Sequence, residues 1–230
     1  MHKSPVILAL DNTDLTKCAE LIESTSDFVG IYKLGLEFFT SKGLTGVREI
    51  KRLFPDISIF LDLKLHDIPN TVAGATRALA DERVSILTVH AAGGGKMIEA
   101  AVAALPETDI AAVTVLTSID EAQLQRLGFS VKTEEIVLRW ASEAVAAGAR
   151  AIVASPLEVS LLRANLPSEI KLVTPGIRFD AGQDDQARTL SPIEAIRAGS
   201  DYLVIGRPIT SATSPRDAAR RIYEELQQAV

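Results

Sequence analysis

Three charged side chains stand close together in "FLDLKLHDIPN", residues 60–70: Asp62, Lys64 and Asp67. In an extended segment, an aspartate and a lysine two apart share one face. A lysine fixed among carboxylates presents an ammonium that can stabilise developing negative charge and then deliver a proton. The rest of the segment is apolar, and charges are costly to bury. Ile57, Ile59, Leu61, Leu63 and Leu65 make an unbroken stripe suited to covering helices, with Ser58 and Phe60 on the charged side. An ion-pair cluster plugging a core is the alternative. It is the weaker reading, because buried ion pairs stabilise poorly while charged groups clustered at strand ends are typical of functional sites.

A second constellation is "DYLVIGRPIT", where an apolar run meets Gly206 and Arg207. A glycine N–H and a guanidinium can hold a phosphate. "TPGIR" repeats the pattern with Pro175, Gly176 and Arg178. A tight turn with a solvated arginine would account for either alone; the two together point to a phosphorylated small molecule. A third glycine-rich stretch, "AAGGGKMIEAA", lacks the spacing of a nucleotide-binding fingerprint and is read as a turn. His90 before it is expected to be a hydrogen-bonded, inward-facing histidine, and Trp140 a packing residue.

Positioning these groups requires a scaffold. Eight short runs rich in β-branched residues recur at 6–10, 29–34, 57–63, 85–90, 110–116, 151–154, 171–174 and 202–205. Between most of them lie segments of helical spacing, such as "DLTKCAELIEST" and "TEEIVLRWASEAVAAG". Strands alternating with helices imply parallel βαβ units with right-handed crossovers. Runs such as "VILAL" and "YLVIG" are apolar on both faces, as buried parallel strands must be. Eight units in a chain of 230 residues fit a single (β/α)8 TIM barrel over residues 1–230. An open doubly wound sheet is the competitor. Two inter-element segments, "TSIDEAQLQRLGFSVK" and "GIRFDAGQDDQARTLSP", are long enough to be expected as functional or mobile loops.

In such a barrel the site lies at the C-terminal ends of the strands. Asp11 falls after the first run and Lys33 late in the second. Asp62 and Lys64 fall at the end of the third, with Asp67 beyond. Thr117 and Ser118 follow the fifth, Pro175, Gly176 and Arg178 the seventh, and Gly206 and Arg207 the eighth.

Composition narrows the function classes. The formal charge is −6, with no basic stripe, which argues against a nucleic-acid polymer as partner. One cysteine, Cys18, excludes an intrachain disulfide and a cysteine-based zinc cluster; its context reads as a buried helix position. His2, His66 and His90 form no metal-binding spacing, and no metal is expected. No apolar run reaches membrane-spanning length, and the N-terminal run is too short for a signal segment, so a soluble, cytoplasmic protein is expected.

The segments "LALD", "YKLGLEFF", "FLDLKLHDIPNTV", "HAAGGGKMI", "TVLTS", "LVTPGIR" and "DYLVIGRPIT" resemble, in order and over nearly the whole chain, the orotidine 5′-monophosphate decarboxylases. The D-x-K-x-x-D segment alone is shared with a wider group of phosphosugar lyases; with Lys33 and "TPGIR" the resemblance is much more specific. It implies that Asp11 and Lys33 contact the ribose hydroxyls. It implies Asp62 beside the substrate carboxylate and Lys64 as proton donor. It implies a homodimer in which Asp67 and Thr71 reach the neighbouring site. Thr117 would contact the pyrimidine, Pro175 and Arg178 belong to the loop after strand seven, Gln186 would bridge base and phosphate, and Gly206 with Arg207 would grip the phosphate. No cofactor is implied. Loss of CO2 from a pyrimidine leaves a poorly delocalised carbanion, and decarboxylases commonly use a cofactor as electron sink; no such motif is evident here, so fixed charge must do that work. A metal-dependent phosphosugar lyase, a Schiff-base aldolase using Lys64, and a non-catalytic phosphate sensor are the rival readings.

Overall fold

The computed structural model describes residues 4–177 and 190–228. Eight parallel strands close into a barrel: β1 (Val6–Ala9), β2 (Ile31–Gly35), β3 (Ser58–Leu65), β4 (Ile86–His90), β5 (Asp109–Val113), β6 (Ala151–Val153), β7 (Lys171–Thr174) and β8 (Tyr202–Ile205). Each pairs with the next in the chain, and β8 returns to β1 through Val6↔Leu203 and Ile7↔Val204. All eight runs expected from sequence are strands, and closure removes the open-sheet alternative. Closure also leaves no strand edge exposed.

The helices outside are α1 (Leu15–Thr25), α2 (Leu36–Leu53), α3 (Pro69–Arg77), α4 (Gly95–Ala104), α5 (Glu121–Arg126), α6 (Thr133–Ala146), α7 (Val159–Asn165), α8 (Pro192–Ala198), α9 (Arg207–Thr210) and α10 (Pro215–Gln227). Their starts are written locally. Asp14 accepts hydrogen bonds from the Thr16 and Lys17 N–H groups at the head of α1. Ser191 and Glu194 form a reciprocal capping box before Pro192 opens α8. The segment 117–132, expected as one long loop, instead contains α5, begun by a capping box between Asp120 and Gln123. Helix α2 bends where Gly43 takes φ +58. None of the described helices is long and apolar enough to cross a membrane.

Burial falls into two layers. The larger lies between barrel and helices and includes Leu8, Leu34, Leu61 and Leu87 from the strands and Ile22, Val47 and Ile98 from the helices. The smaller fills the barrel, with Ile7, Ile31, Phe60, Ile86 and Val173 meeting on its axis. Phe60 thus points inward, with Ile59 and Leu61 outward, as strand alternation requires. Cys18 is fully buried, and burial pushes its thiol up to about 11, so it is an inert packing group. Trp140 packs on the outer layer, edge-on to Phe129 and His90.

Candidate active site

Above the apolar plug, a cavity of about 350 Å³ opens at the C-terminal ends of the strands. Its floor includes Phe60 and Val204, and its walls carry the charged groups. That volume suits a small molecule rather than a polymer. Asp11, Lys33, Asp62, Lys64, Thr117, Pro175, Gly206 and Arg207 all line it. With Gly176, nine residues picked out from strand ends scattered over the chain thus converge on one space.

Four of them form a chain of alternating charge. Lys33 Nζ lies 3.1 Å from Asp11 Oδ1 and 3.4 Å from Asp62 Oδ2, and Lys64 Nζ lies 2.8 Å from Asp62 Oδ1. Two carboxylates and two ammoniums balance to zero formal charge. The chain is driest in its middle: the side chains of Lys33 and Asp62 are 9% and 13% exposed, those of Asp11 and Lys64 at its ends 52% and 31%. Burial works against charge on Asp62, but Lys33 and Lys64, with hydrogen bonds from Lys64 and Thr88, outweigh it and hold the carboxyl below its ordinary range. Asp62 is therefore an anion at neutral pH.

Strand β3 is not regular where it carries this chemistry. Leu61 pairs with Leu87 and Leu65 with Val89, so β3 spends four residues where β4 spends two. The surplus is a bulge across Asp62–Lys64, and Lys64 sits in the left-handed region at φ +49. A non-glycine residue there costs about 1–3 kcal/mol and persists only where its surroundings enforce it. Simple alternation expects Asp62 and Lys64 on one face of a regular strand. Both do line the cavity, but through a distorted backbone. The Lys64 N–H donates to Thr88 Oγ1 at 2.8 Å, and Thr88 Oγ1 donates to Asp62 Oδ1 at 3.0 Å.

Gly35, which ends β2, has a steric reason. A Cβ there would lie 2.9 Å from both Asp11 Oδ1 and Lys33 Nζ. These are the ends of flexible side chains, so they can yield cheaply, but yielding separates the pair. Gly35→Ala should leave the melting temperature nearly unchanged and lower kcat/KM about 10-fold, the scale of a small misplacement of site groups. A melting curve beside steady-state kinetics checks this.

Several sequence expectations end differently. Asp67 and Thr71 are exposed and lie off the cavity; Asp67 Oδ1 accepts the Ile68 N–H at 2.7 Å. Among the described residues Lys64 therefore has one carboxylate partner, Asp62, rather than two. Arg178 and Gln186 lie outside the described residues. His90 is not the hydrogen-bonded histidine expected: its buried Nδ1 has no hydrogen-bond partner among the described residues, and its ring stacks on His66 at 5.3 Å. Burial, then His66 and Lys64, lower its pKa, so it is a neutral packing ring. The glycine-rich stretch is a turn, as expected: a 3-10 turn over Ala91–Gly93 leads into α4, and the Gly95 N–H at the head of α4 donates to Glu143 Oε1. Sequence reasoning missed Thr88 and Ser155. Both are hydroxyls in or just after apolar strands, and Thr88 shares the inward parity of Ile86 on β4, which was the available signal.

A barrel with its charged groups converging on a cavity at the strand C-termini is the architecture of a small-molecule enzyme. Residues 4–222 match the family described as Orotidine 5′-phosphate decarboxylase / HUMPS family. The orotidine 5′-phosphate decarboxylase of Thermobifida fusca is 48% identical over 98% of this chain and 97% of its own. That of Moorella thermoacetica is 47% identical over 99% and 94%. The crystal structure of orotidine 5′-phosphate decarboxylase from Lactobacillus acidophilus superposes with a TM-score of 0.85 at 35% identity, covering 97% of this chain and 99% of that one. The chain belongs to the orotidine 5′-phosphate decarboxylase / HUMPS family.

Proposed function

We propose that this protein converts orotidine 5′-monophosphate to uridine 5′-monophosphate and CO2 in pyrimidine biosynthesis, without a cofactor, using Lys64 as electrostatic stabiliser and proton donor. The observation that carries the reading is the Asp11–Lys33–Asp62–Lys64 chain at the mouth of a cavity that also holds Arg207. The substrate's carboxylate leaves carbon 6 as CO2, and the bonding pair stays on that carbon. The Lys64 ammonium faces the growing negative charge and then transfers its proton to carbon 6; the resulting amine regains a proton from solvent. Two unit charges about 4 Å apart gain about 1 kcal/mol in bulk water and about 4 kcal/mol at the effective dielectric near a protein surface. The benefit therefore depends on excluding water from the occupied cavity. Asp62 holds Lys64 in place and lies where the departing carboxylate would be crowded by like charge. Lys33 and Asp11 are assigned to the ribose hydroxyls, Thr117 to the pyrimidine and Gly206 with Arg207 to the phosphate; Arg178, Gln186 and Pro175 are assigned to the same ligand from the strand-seven side.

The metal-dependent lyase reading is disfavoured by Lys33. Its ammonium sits between the Asp11 and Asp62 carboxylates, the position a divalent cation would need. The decisive assay follows the absorbance loss of orotidylate and the release of CO2, before and after dialysis against a chelator. Activity that survives dialysis supports this reading; absence of turnover in the untreated protein, or its loss on dialysis, overturns it.

The exposed segment His66–Thr71, with Ile68 67% exposed, is the face assigned to a second copy of the chain. In that homodimer Asp67 and Thr71 complete the neighbour's site, and Asp67 supplies the second carboxylate that Lys64 lacks among the described residues of its own chain. Equal amounts of Lys64→Ala and Asp67→Ala chains should be inactive apart. Mixed and allowed to exchange, they should recover about a quarter of the wild-type activity per chain, since half the dimers are mixed and half their sites intact. Failure to recover activity in dimers shown to be mixed would remove the shared site.

A further inference from the structure

We propose that Thr88 is a positioning residue for Lys64, its hydroxyl fixing both the lysine's backbone and the carboxylate that holds its ammonium. The hydroxyl is fully buried on β4 and does not border the cavity. It accepts the Lys64 N–H at 2.8 Å and donates to Asp62 Oδ1 at 3.0 Å; the same Oδ1 accepts from Lys64 Nζ at 2.8 Å. The three contacts close a ring. It leaves Lys64 at its backbone nitrogen, passes through Thr88 and Asp62, and returns to Lys64 at its side-chain nitrogen.

Each end of the ring answers a specific need. The bulge takes Lys64 out of the β3–β4 ladder, where pairing resumes only at Leu65↔Val89. Its N–H therefore needs another acceptor, and a buried amide without one is strongly disfavoured. Thr88 supplies that acceptor, and so sustains the left-handed backbone at φ +49 that aims the side chain. With a lone pair engaged there, the hydroxyl turns its one proton to Asp62 and fixes the carboxylate's rotation. Threonine suits the role because its branched Cβ restricts the χ1 rotamer, and so the direction of the oxygen. The effect on turnover rests on the decarboxylase reading above.

Three variants test it. Thr88→Val and Thr88→Ala remove the hydroxyl, the first keeping the shape and the second guarding against overpacking; Thr88→Ser keeps the oxygen. In either hydroxyl-free variant kcat for orotidylate should fall about 10- to 100-fold, the scale of an ångström-sized misplacement of a reacting group. KM and the affinity for uridine 5′-monophosphate should stay within about threefold, because binding groups are untouched, and Thr88→Ser should recover kcat to within about threefold. Hydrogen exchange at the Lys64 amide should accelerate in Thr88→Val and Thr88→Ala but not in Thr88→Ser. An unchanged kcat in both hydroxyl-free variants, or parallel loss of kcat and nucleotide affinity, overturns the proposal. The exchange measurement needs no turnover. If the wild-type protein does not decarboxylate orotidylate, the activity reading falls, while unchanged amide protection would separately defeat the role of Thr88.

Discussion

Lys64→Ala should lower kcat for orotidylate by at least about four orders of magnitude, because one substitution removes both a general acid and an electrostatic stabiliser. The loss should not come from unfolding. Truncating one partner of a buried ion pair is damaging when it strands the other, but Asp62 would keep the Lys33 ammonium at 3.4 Å and the Thr88 hydroxyl at 3.0 Å. The variant should melt near the wild-type temperature and still bind uridine 5′-monophosphate, whose ribose and phosphate are assigned to other groups. Single-turnover absorbance, a melting curve and calorimetry with the product measure the three quantities. A residual rate within tenfold of wild type would remove Lys64 from the chemistry. This variant also separates a catalyst from a phosphate sensor on the same scaffold, since a sensor has no use for an ammonium at this position. The Schiff-base reading makes a different demand: borohydride with a carbonyl substrate should trap a covalent adduct on Lys64, and under the decarboxylase reading it traps none.

How much of this could be read in the chain depended on which interactions are local. Strand runs such as Val6–Ala9 and Tyr202–Ile205 are legible because parallel strands covered on both faces must be apolar on both faces. Their count then gave the barrel, and the barrel gave the end at which charges gather. Asp62 and Lys64 were legible for the same reason: charge inside an apolar strand is expensive and so informative. The bulge was not. It is a mismatch of length between β3 and β4, four residues against two, and no single segment records a difference between two segments. Thr88 was hidden for a related reason: a threonine in a strand is ordinary by composition, and its meaning comes from the amide that the bulge on another strand leaves unpaired. The helix α5 was missed because its signal is a capping box, Asp120 with Gln123, over only six residues, too short for periodicity to show. His90 misled because sequence gives parity, not partners; its neighbours are the ring of His66 and the edge of Trp140 rather than hydrogen-bonding groups. Asp67 reads as part of the motif from sequence, but it lies past the end of β3, exposed and off the cavity, with its carboxylate on the Ile68 N–H.

Arg207→Ala should lower kcat/KM for orotidylate about 100- to 1,000-fold, since truncating one partner of a desolvated charge pair costs about 2–5 kcal/mol. The loss should appear in both parameters. Arg207 lines the cavity beside Gly206 and Pro208, after β8, while Lys64 comes from β3, so the proposed phosphate grip and the proposed proton donor draw on different strands. If phosphate binding served only to hold the substrate, KM alone would rise. Binding energy realised on a remote group can instead be used to orient the pyrimidine and exclude water in the transition state, in which case kcat falls as well. Orotidine, which lacks the phosphate, supplies the control. It should be a far poorer substrate for the wild-type protein, and Arg207→Ala should change its kcat/KM by no more than about threefold, because the group the arginine holds is already missing. The four rate constants form a double-mutant cycle whose coupling measures the arginine–phosphate contact. Equal losses for orotidylate and orotidine would show that Arg207 acts on the barrel rather than on the phosphate, and would move the phosphate site elsewhere in the cavity.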